Sequence, residues 1–414
     1  MYCCPRQRSA RSNGALVRCF GRNHCEDGCL TLVLSTVLAV LCFPVLLFQF
    51  ASACAARRAL RGRRGDCCLQ LCSCGGATLY TSAQDDEDRA AFEASLRRRC
   101  VAAAGETRYA ETKLRVVCLS DTHMQHASIR VPAGDVLVHT GDFTNHGTLR
   151  QILDFADWFA AQPHAVKICV PGNHDMIMDA HYWSVFWSDW TSGGGVDGSG
   201  GEAPKGTHDE AMEAFRSRGI HVLIDRALFL EISPNGGGIQ VVDNYEDRGT
   251  HRIKDNVLSI FGSPWVTQYA SWQTAFNKLD ADMKEHWEGV VEAAAPKHVD
   301  LFLTHMPPKG IGDMEPGGGK HGCPHLLEAV KRIAPAVHVF GHVHSDAGVH
   351  ILDCHGGNRT HCLNAASVCD YYWTGARKPA TFDLCPTRGG AVLEEQEQEA
   401  GPDGVQPSFS KKTD

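Results

Sequence analysis

The chain has 414 residues with 43% hydrophobic and 21% charged side chains, a composition that supports a sizeable apolar core and excludes a wholly disordered polypeptide. Its formal net charge is −8, and no basic stripe crosses its central region, so no nucleic-acid partner is expected. The charge is uneven, however: residues 1–64 carry ten arginines and two acids.

From Cys29 to Ala56 there is no charged residue, and Leu, Val, Phe and Ala dominate. A run of this length crosses a bilayer as a helix, with Pro44 tolerated as a kink. A buried core helix would interleave polar residues, and a signal peptide cut at Ala51-Ser52-Ala53 would have a shorter apolar region behind a shorter polar one. The expectation is therefore a single N-terminal transmembrane helix at 29–56, behind a basic, Cys-containing segment at 1–28. Arg57, Arg58, Arg61, Arg63 and Arg64 crowd directly behind the span, which by the positive-inside rule leaves the rest of the chain cytosolic. Cysteine usage agrees, because eleven of nineteen cysteines fall within residues 1–74 and the odd total does not suggest a disulfide framework. Cys3, Cys4, Cys67, Cys68, Cys72 and Cys74 are candidates for acylation. A zinc knuckle built on Cys67-Cys68 and Cys72-x-Cys74 lacks a partnering pair at suitable spacing. The opposite topology would offer Asn358-Arg359-Thr360 for N-glycosylation and let Cys354 and Cys362 pair beside it.

Residues 57–111 read as a polar, Cys-containing linker that is helical towards its end. Residues 386–414 have the composition of a disordered tail. The stretches 192–206 and 234–238 are Gly-rich insertions.

Residues 112–385 read as one domain of alternating strands and helices. Strands are expected at Leu114–Leu119, Val136–His139, Ala165–Val170, Val257–Phe261, Val299–Leu303 and Ala336–Phe340, each apolar and β-branched. A helix fits Thr148–Ala161, with Leu149, Ile152, Leu153, Ala156 and Phe159 on one face. Apolar strands with polar residues clustered at their carboxyl ends are what an α/β sheet with an end-on site requires. With this many strands, a four-layer α/β/β/α sandwich is the natural arrangement.

Five short motifs stand at those strand ends: Asp121-Thr122-His123, Gly141-Asp142, Gly172-Asn173-His174-Asp175, Thr304-His305 and Gly341-His342-Val343-His344. They contain three carboxylates, five imidazoles and one amide, the donors that hold two divalent metals side by side. An Asp-x-His pair directs both side chains to one face. Asp142 has two carboxylate oxygens with which to bridge two cations. Asn173 offers a neutral amide oxygen, and His305, His342 and His344 form a nitrogen-rich half. His174 directly follows a candidate ligand and so faces the opening, where an imidazole protonates a leaving group. Asp175 is read either as orienting His174 through its other ring nitrogen or as capping the next helix. Singly, each motif is more often a cap, a turn or a structural histidine; it is their joint occurrence in this order that argues for a metal site.

In that order, and with LSDTH, HTGDFTNHG, PGNHD, FGSPW, LTHMPPKG and VHVFGHVH as local wording, the chain resembles the calcineurin-like metallophosphoesterase superfamily. It is most similar to the subgroup of metallophosphoesterase-domain proteins related to class III cyclic-nucleotide phosphodiesterases. The resemblance spans roughly residues 113–385. It implies that Asp121, His123, Asp142 and His344 hold a first metal, and that Asp142, Asn173, His305 and His342 hold a second. It also implies a metal-bridging hydroxide attacking phosphorus, His174 as the acid, and manganese, iron or zinc as the ions. Mammalian members of the subgroup carry Gly where His342 stands, a change associated with weak activity, whereas this sequence keeps the full Gly-His-Val-His. The expected function is hydrolysis of a phosphodiester, a nucleotide among the candidates. The alternative is a membrane-tethered nucleotide-binding or scaffolding protein with residual turnover.

Overall fold

The computed structural model describes residues 82–191, 206–233, 237–242, 255–268, 274–294, 298–368 and 377–387. The expected membrane span at 29–56, the segments flanking it up to residue 81, the glycines of both insertions apart from Gly206, Gly237 and Gly238, and the tail from 388 lie outside these residues. Among the described residues, no helix is long and apolar enough to cross a membrane.

The chain enters through helices α1 (Ser82–Ala104) and α2 (Glu106–Thr112), then forms β1 (Leu114–Leu119), β2 (Val136–His139), α3 (Leu149–Ala160), β3 (Val166–Cys169), α4 (Ala180–Thr191), α5 (His208–Arg216) and β4 (Ile220–Val222). It continues through β5 (Arg226–Ile232), β6 (Ile239–Val242), β7 (Val257–Ser263), the short β8 (Val266–Thr267) and β9 (Asn277–Lys278), α6 (Asp280–Ala294) and β10 (Leu301–Thr304). It closes with α7 (Pro324–Ile333), β11 (Val337–Phe340), β12 (Gly348–Asp353), β13 (Arg359–Asn364) and β14 (Ala380–Leu384). One sheet has the order β14-β1-β2-β3-β4 and the other β12-β13-β11-β10-β7-β5-β6. Within each, the strands that lead to the motifs run parallel: β1, β2 and β3 in the first, β10 and β11 in the second.

Side-chain alternation explains how the sheets stack. Val116 and Cys118 of β1 point one way, into an apolar layer shared with Val138, Ile168, Leu230, Ile260, Leu301 and Val339, so the two sheets face each other. Val117 and Leu119 point the other way, onto Phe155, Phe159 and Phe215 of α3 and α5. On the second sheet, Phe261, Phe302 and Phe340 pack outward on Trp287, Leu326 and Val330 of α6 and α7. The layer order is helix, sheet, sheet, helix. Strands covered on both faces must be apolar throughout, which is why the central strands were readable in the sequence to within about two residues.

Two local expectations need correcting. On α3 the buried face is Ile152, Phe155, Ala156 and Phe159, a spacing of i, i+3, i+4 and i+7, while Leu153 is 37% exposed. The segment read as a polar linker is helical but does not stand free: Phe92, Leu96 and Cys100 of α1, four residues apart, are buried in the layer between the sheets. Arg99 of the same helix donates to the carbonyls of Ala334 and Pro335, which follow α7. Cys354 and Cys362 are both free thiols, and Asn358 beside them is exposed.

Candidate metal centre

The loops after β1, β2, β3, β10 and β11 bring the nine carboxylate, imidazole and amide residues of the five motifs to one edge of the sandwich. The first donor set is Asp121, His123 and His344. Asp121 Oδ1 lies 3.2 Å from His344 Nε2, and that nitrogen lies 3.2 Å from His123 Nε2. The second set is Asp142, His305 and His342, joined by Asn173. His305 Nε2 lies 3.4 Å from Asp142 Oδ2, 3.0 Å from Asn173 Oδ1 and 3.3 Å from His342 Nδ1. Each set draws from both sheets, with Asp121, His123, Asp142 and Asn173 on the first and His305, His342 and His344 on the second.

These separations fit metal ions. Bonds of about 2.1 Å place neighbouring donors about 3.0 Å apart in an octahedron and about 3.4 Å apart in a tetrahedron. Tautomers also fit: His305 Nδ1 donates to the Thr140 carbonyl at 2.8 Å, leaving the Nε2 lone pair for the ion. Asp142 Oδ2 faces both sets, since it also lies 3.7 Å from His123 Nε2. The sequence reading had Asp142 bridge two cations with its two carboxylate oxygens, and the two oxygens have different surroundings. Oδ1 accepts the backbone N–H of His174 at 2.8 Å, so Oδ2 is the oxygen that faces both donor sets.

The backbone is forced to deliver these donors. Asp121, His123, Asp142 and His342 all adopt left-handed conformations, with φ of 51°, 41°, 55° and 69°, each costing a non-glycine residue of order 1–3 kcal/mol. The glycines of the motifs provide room. A Cβ on Gly341 would sit 2.0 Å from Asp121 Oδ2, and one on Gly141, whose φ is +104°, would sit 2.3 Å from His305 Nδ1. The space Gly341 leaves is filled by a contact between the sheets: the His342 N–H donates to both oxygens of Asp121, at 3.0 and 2.9 Å.

His174 lies beside the first donor set with one ring nitrogen already engaged. Its Nδ1–H donates to the Asn145 carbonyl at 2.9 Å, so Nε2 is the nitrogen left for chemistry. Its ring meets that of His123 edge-on at 4.9 Å, and it is partly exposed where Asp121, His123, Asp142, Asn173 and His305 are buried. Asp175 does neither of the two things read for it. It is wholly buried, its side chain does not cap the following turn, and His174 is oriented by Asn145 instead. The Asp175 carboxylate accepts the N–H groups of Asp142 (2.9 Å) and Gly172 (2.8 Å) through Oδ2, and the N–H (2.9 Å) and hydroxyl (2.8 Å) of Thr144 through Oδ1. It knits the Gly-Asp loop to the Gly-Asn-His-Asp loop from below. Backbone partners of this kind leave no sequence signal. The same is true of Asn364, whose amide donates to the carbonyls of Val343 (2.8 Å) and Gly312 (3.0 Å) and so supports the Gly-His-Val-His loop.

Burial and neighbouring charge set the protonation states in the absence of metal. Burial pushes His123 and His342 down to about 3, so both are neutral donors. Burial also acts to raise Asp121 and Asp142, but their imidazole neighbours overcome it and hold both carboxyls below the usual range. Burial lowers His305 too, yet the Asp142 carboxylate outweighs it and lifts His305 to about 9. Burial and then the charge of Asp142 raise Asp175 to about 7. At neutral pH a proton on His305 therefore occupies the place of the second cation, and an ion entering there must expel it. About one proton is expected to be released per ion bound at this site at pH 7, and affinity is expected to fall about tenfold per unit as the pH drops below about 9. Calorimetric titration in buffers of different ionisation enthalpy measures this directly; a heat independent of buffer contradicts it.

Comparison with known proteins agrees with the geometry. Residues 114–346, which contain all five motifs, match the family model described as calcineurin-like phosphoesterase. The chain is similar to metallophosphoesterase domain-containing protein 1 of Homo sapiens, 29% identical over 273 residues that cover 65% of this chain and 71% of that protein. It is also similar to two Caenorhabditis elegans proteins. UPF0046 protein C25E10.12 is 31% identical over 282 residues, covering 66% of this chain and 82% of that protein. UPF0046 protein K07C11.7 is 32% identical over 258 residues, covering 61% and 69%.

Proposed function

The chain belongs to the calcineurin-like phosphoesterase family, whose members are metal-dependent hydrolases of phosphate esters, and from this premise we propose that it cleaves a phosphodiester at a centre of two divalent metal ions. The observation that carries the proposal is the pair of donor sets sharing Asp142 Oδ2, with His174 beside them. When bound, the ions supply Lewis acidity towards the phosphoryl oxygens and lower the pKa of a water so that it attacks at neutral pH. Asp121, His123, Asp142 and His344 would hold one ion, and Asp142, Asn173, His305 and His342 would hold the other. This mixed carboxylate, imidazole and amide set suits manganese, iron or zinc, and manganese is the ion to load first. The loops position the ester, and the Asn145 carbonyl fixes the His174 ring so that a proton on Nε2 passes to the departing oxygen.

The test is hydrolysis by the manganese-loaded full chain of a bis-aryl phosphate and of a diester with an alkoxide leaving group. An alkoxide needs a proton as it departs, whereas a nitrophenolate does not. His174→Ala is therefore expected to slow the alkyl diester about 10²–10⁴-fold and the aryl diester far less. Equal losses on both substrates would refute the acid role of His174. Tight binding of nucleoside monophosphates with no hydrolysis of any diester would replace the enzymatic reading with a binding role.

A further inference from the structure

The geometry points to Arg377 as a positioning residue of the first metal site, acting through the backbone of His344. Arg377 Nη1 donates to three carbonyls: His344 at 2.8 Å, Ala366 at 3.2 Å and Val368 at 3.2 Å. Its own N–H donates to the Ser367 carbonyl at 2.6 Å. The segment it grips is a strap between the sheets. The Ala365 N–H donates to the Phe340 carbonyl at the end of β11. Ser367 N–H donates to the Ser120 carbonyl at the end of β1, where Ala366 and Ser120 also form an isolated parallel bridge.

Ser120 precedes Asp121, and Phe340 precedes Gly341-His342-Val343-His344. The strap therefore ties together the roots of the two loops that supply the first donor set, and Arg377 adds the carbonyl of His344 itself to the same knot. His344 needs this more than its partners do. Asp121 and His123 are 0% and 3% exposed, while the His344 side chain is 11% exposed and stands at the start of a one-turn helix with no side-chain cap.

A guanidinium acting merely as a nearby charge would have the opposite effect. A fixed positive charge repels a dication, so its removal would tighten metal binding. A clamp predicts weaker binding at one site. Removing an outer partner of a ligand typically costs about 10–100-fold in metal affinity.

This inference rests on the metal-site reading above, and the experiment separates the two. The metal-free full chain is titrated with manganese and bound ions are counted by electron paramagnetic resonance. The wild type is expected to bind two ions per chain. Arg377→Ala is expected to weaken one of them about 10–100-fold and leave the other unchanged. Arg377→Lys should fall between, because the ammonium keeps the donors but not the reach of the fork. Millimolar guanidinium added to Arg377→Ala should recover part of the lost affinity, a response that a merely misfolded variant would not give. Unchanged affinities, equal weakening at both sites or tighter binding in Arg377→Ala would each overturn the clamp. A wild type that binds no manganese would instead overturn the metal reading and the clamp with it.

Discussion

Asp142→Asn is expected to abolish hydrolysis, with kcat/KM falling about a thousandfold or more, and to leave the protein unable to hold two metal ions at once. The change is nearly isosteric, so its effect is chemical. Oδ2 faces His123 Nε2 and His305 Nε2 together, while Oδ1 accepts the His174 N–H. An amide has one oxygen for these two tasks. If the oxygen stays with the His174 N–H, an NH2 group points at the ions and cannot ligate them. If it turns to the ions, the NH2 confronts the His174 N–H donor to donor. Either way the bridging negative charge is gone, and with it the cause of the raised His305 pKa. Metal content by mass spectrometry and turnover of a bis-aryl phosphate read out both losses. Activity within tenfold of wild type would show that Asp142 does not bridge.

Asp175→Ala is expected to destabilise the metal-free protein by about 3–5 kcal/mol, because it leaves several buried N–H and O–H donors without an acceptor, at about 1–3 kcal/mol for each that stays unsatisfied. Its carboxylate satisfies four donors from Asp142, Gly172 and Thr144 in a fully buried position, and the variant strands all of them. Denaturant midpoints measured without metal separate this loss from ligand-induced stability. Metal binding should suffer as well, because the stranded amides belong to the two loops that carry Asp142 and Asn173. A variant within about 1 kcal/mol of wild type would mean that ordered water replaces the carboxylate.

The sequence marked the candidate donors because each needed a particular functional group at the end of an apolar strand, and the fold brings Asp121, His123 and His344 together in one group and Asp142, His305 and His342 in another, with Asn173 beside the second. It misassigned Asp175 because adjacency to His174 suggested a side-chain partnership, whereas the turn sends the carboxylate to backbone amides. Arg377 was invisible for a related reason: a side chain that serves carbonyls has no partner residue type to betray it. The edge strands β6 and β12 are only half-covered, so they lack the continuous apolar runs that marked β1, β2 and β11. In α1 a signal did exist. Phe92, Leu96 and Cys100 recur every fourth residue, but the surrounding Arg, Asp and Glu masked so narrow a stripe.

The division of each donor set between two sheets makes register between the sheets a condition for binding metal. Adjacent residues on a strand are about 3.3 Å apart, comparable with the donor spacing itself. A slip of one sheet past the other by a single residue would thus scatter both sets at once. Conversely, two ions held at these donor sets would act as rivets resisting shear between the sheets, fixing their alignment where no disulfide does so among the described residues. Chelation should therefore loosen more than the loops. Amide exchange along β1 and β11, which lie on opposite sides of the seam, should quicken together when the ions are withdrawn.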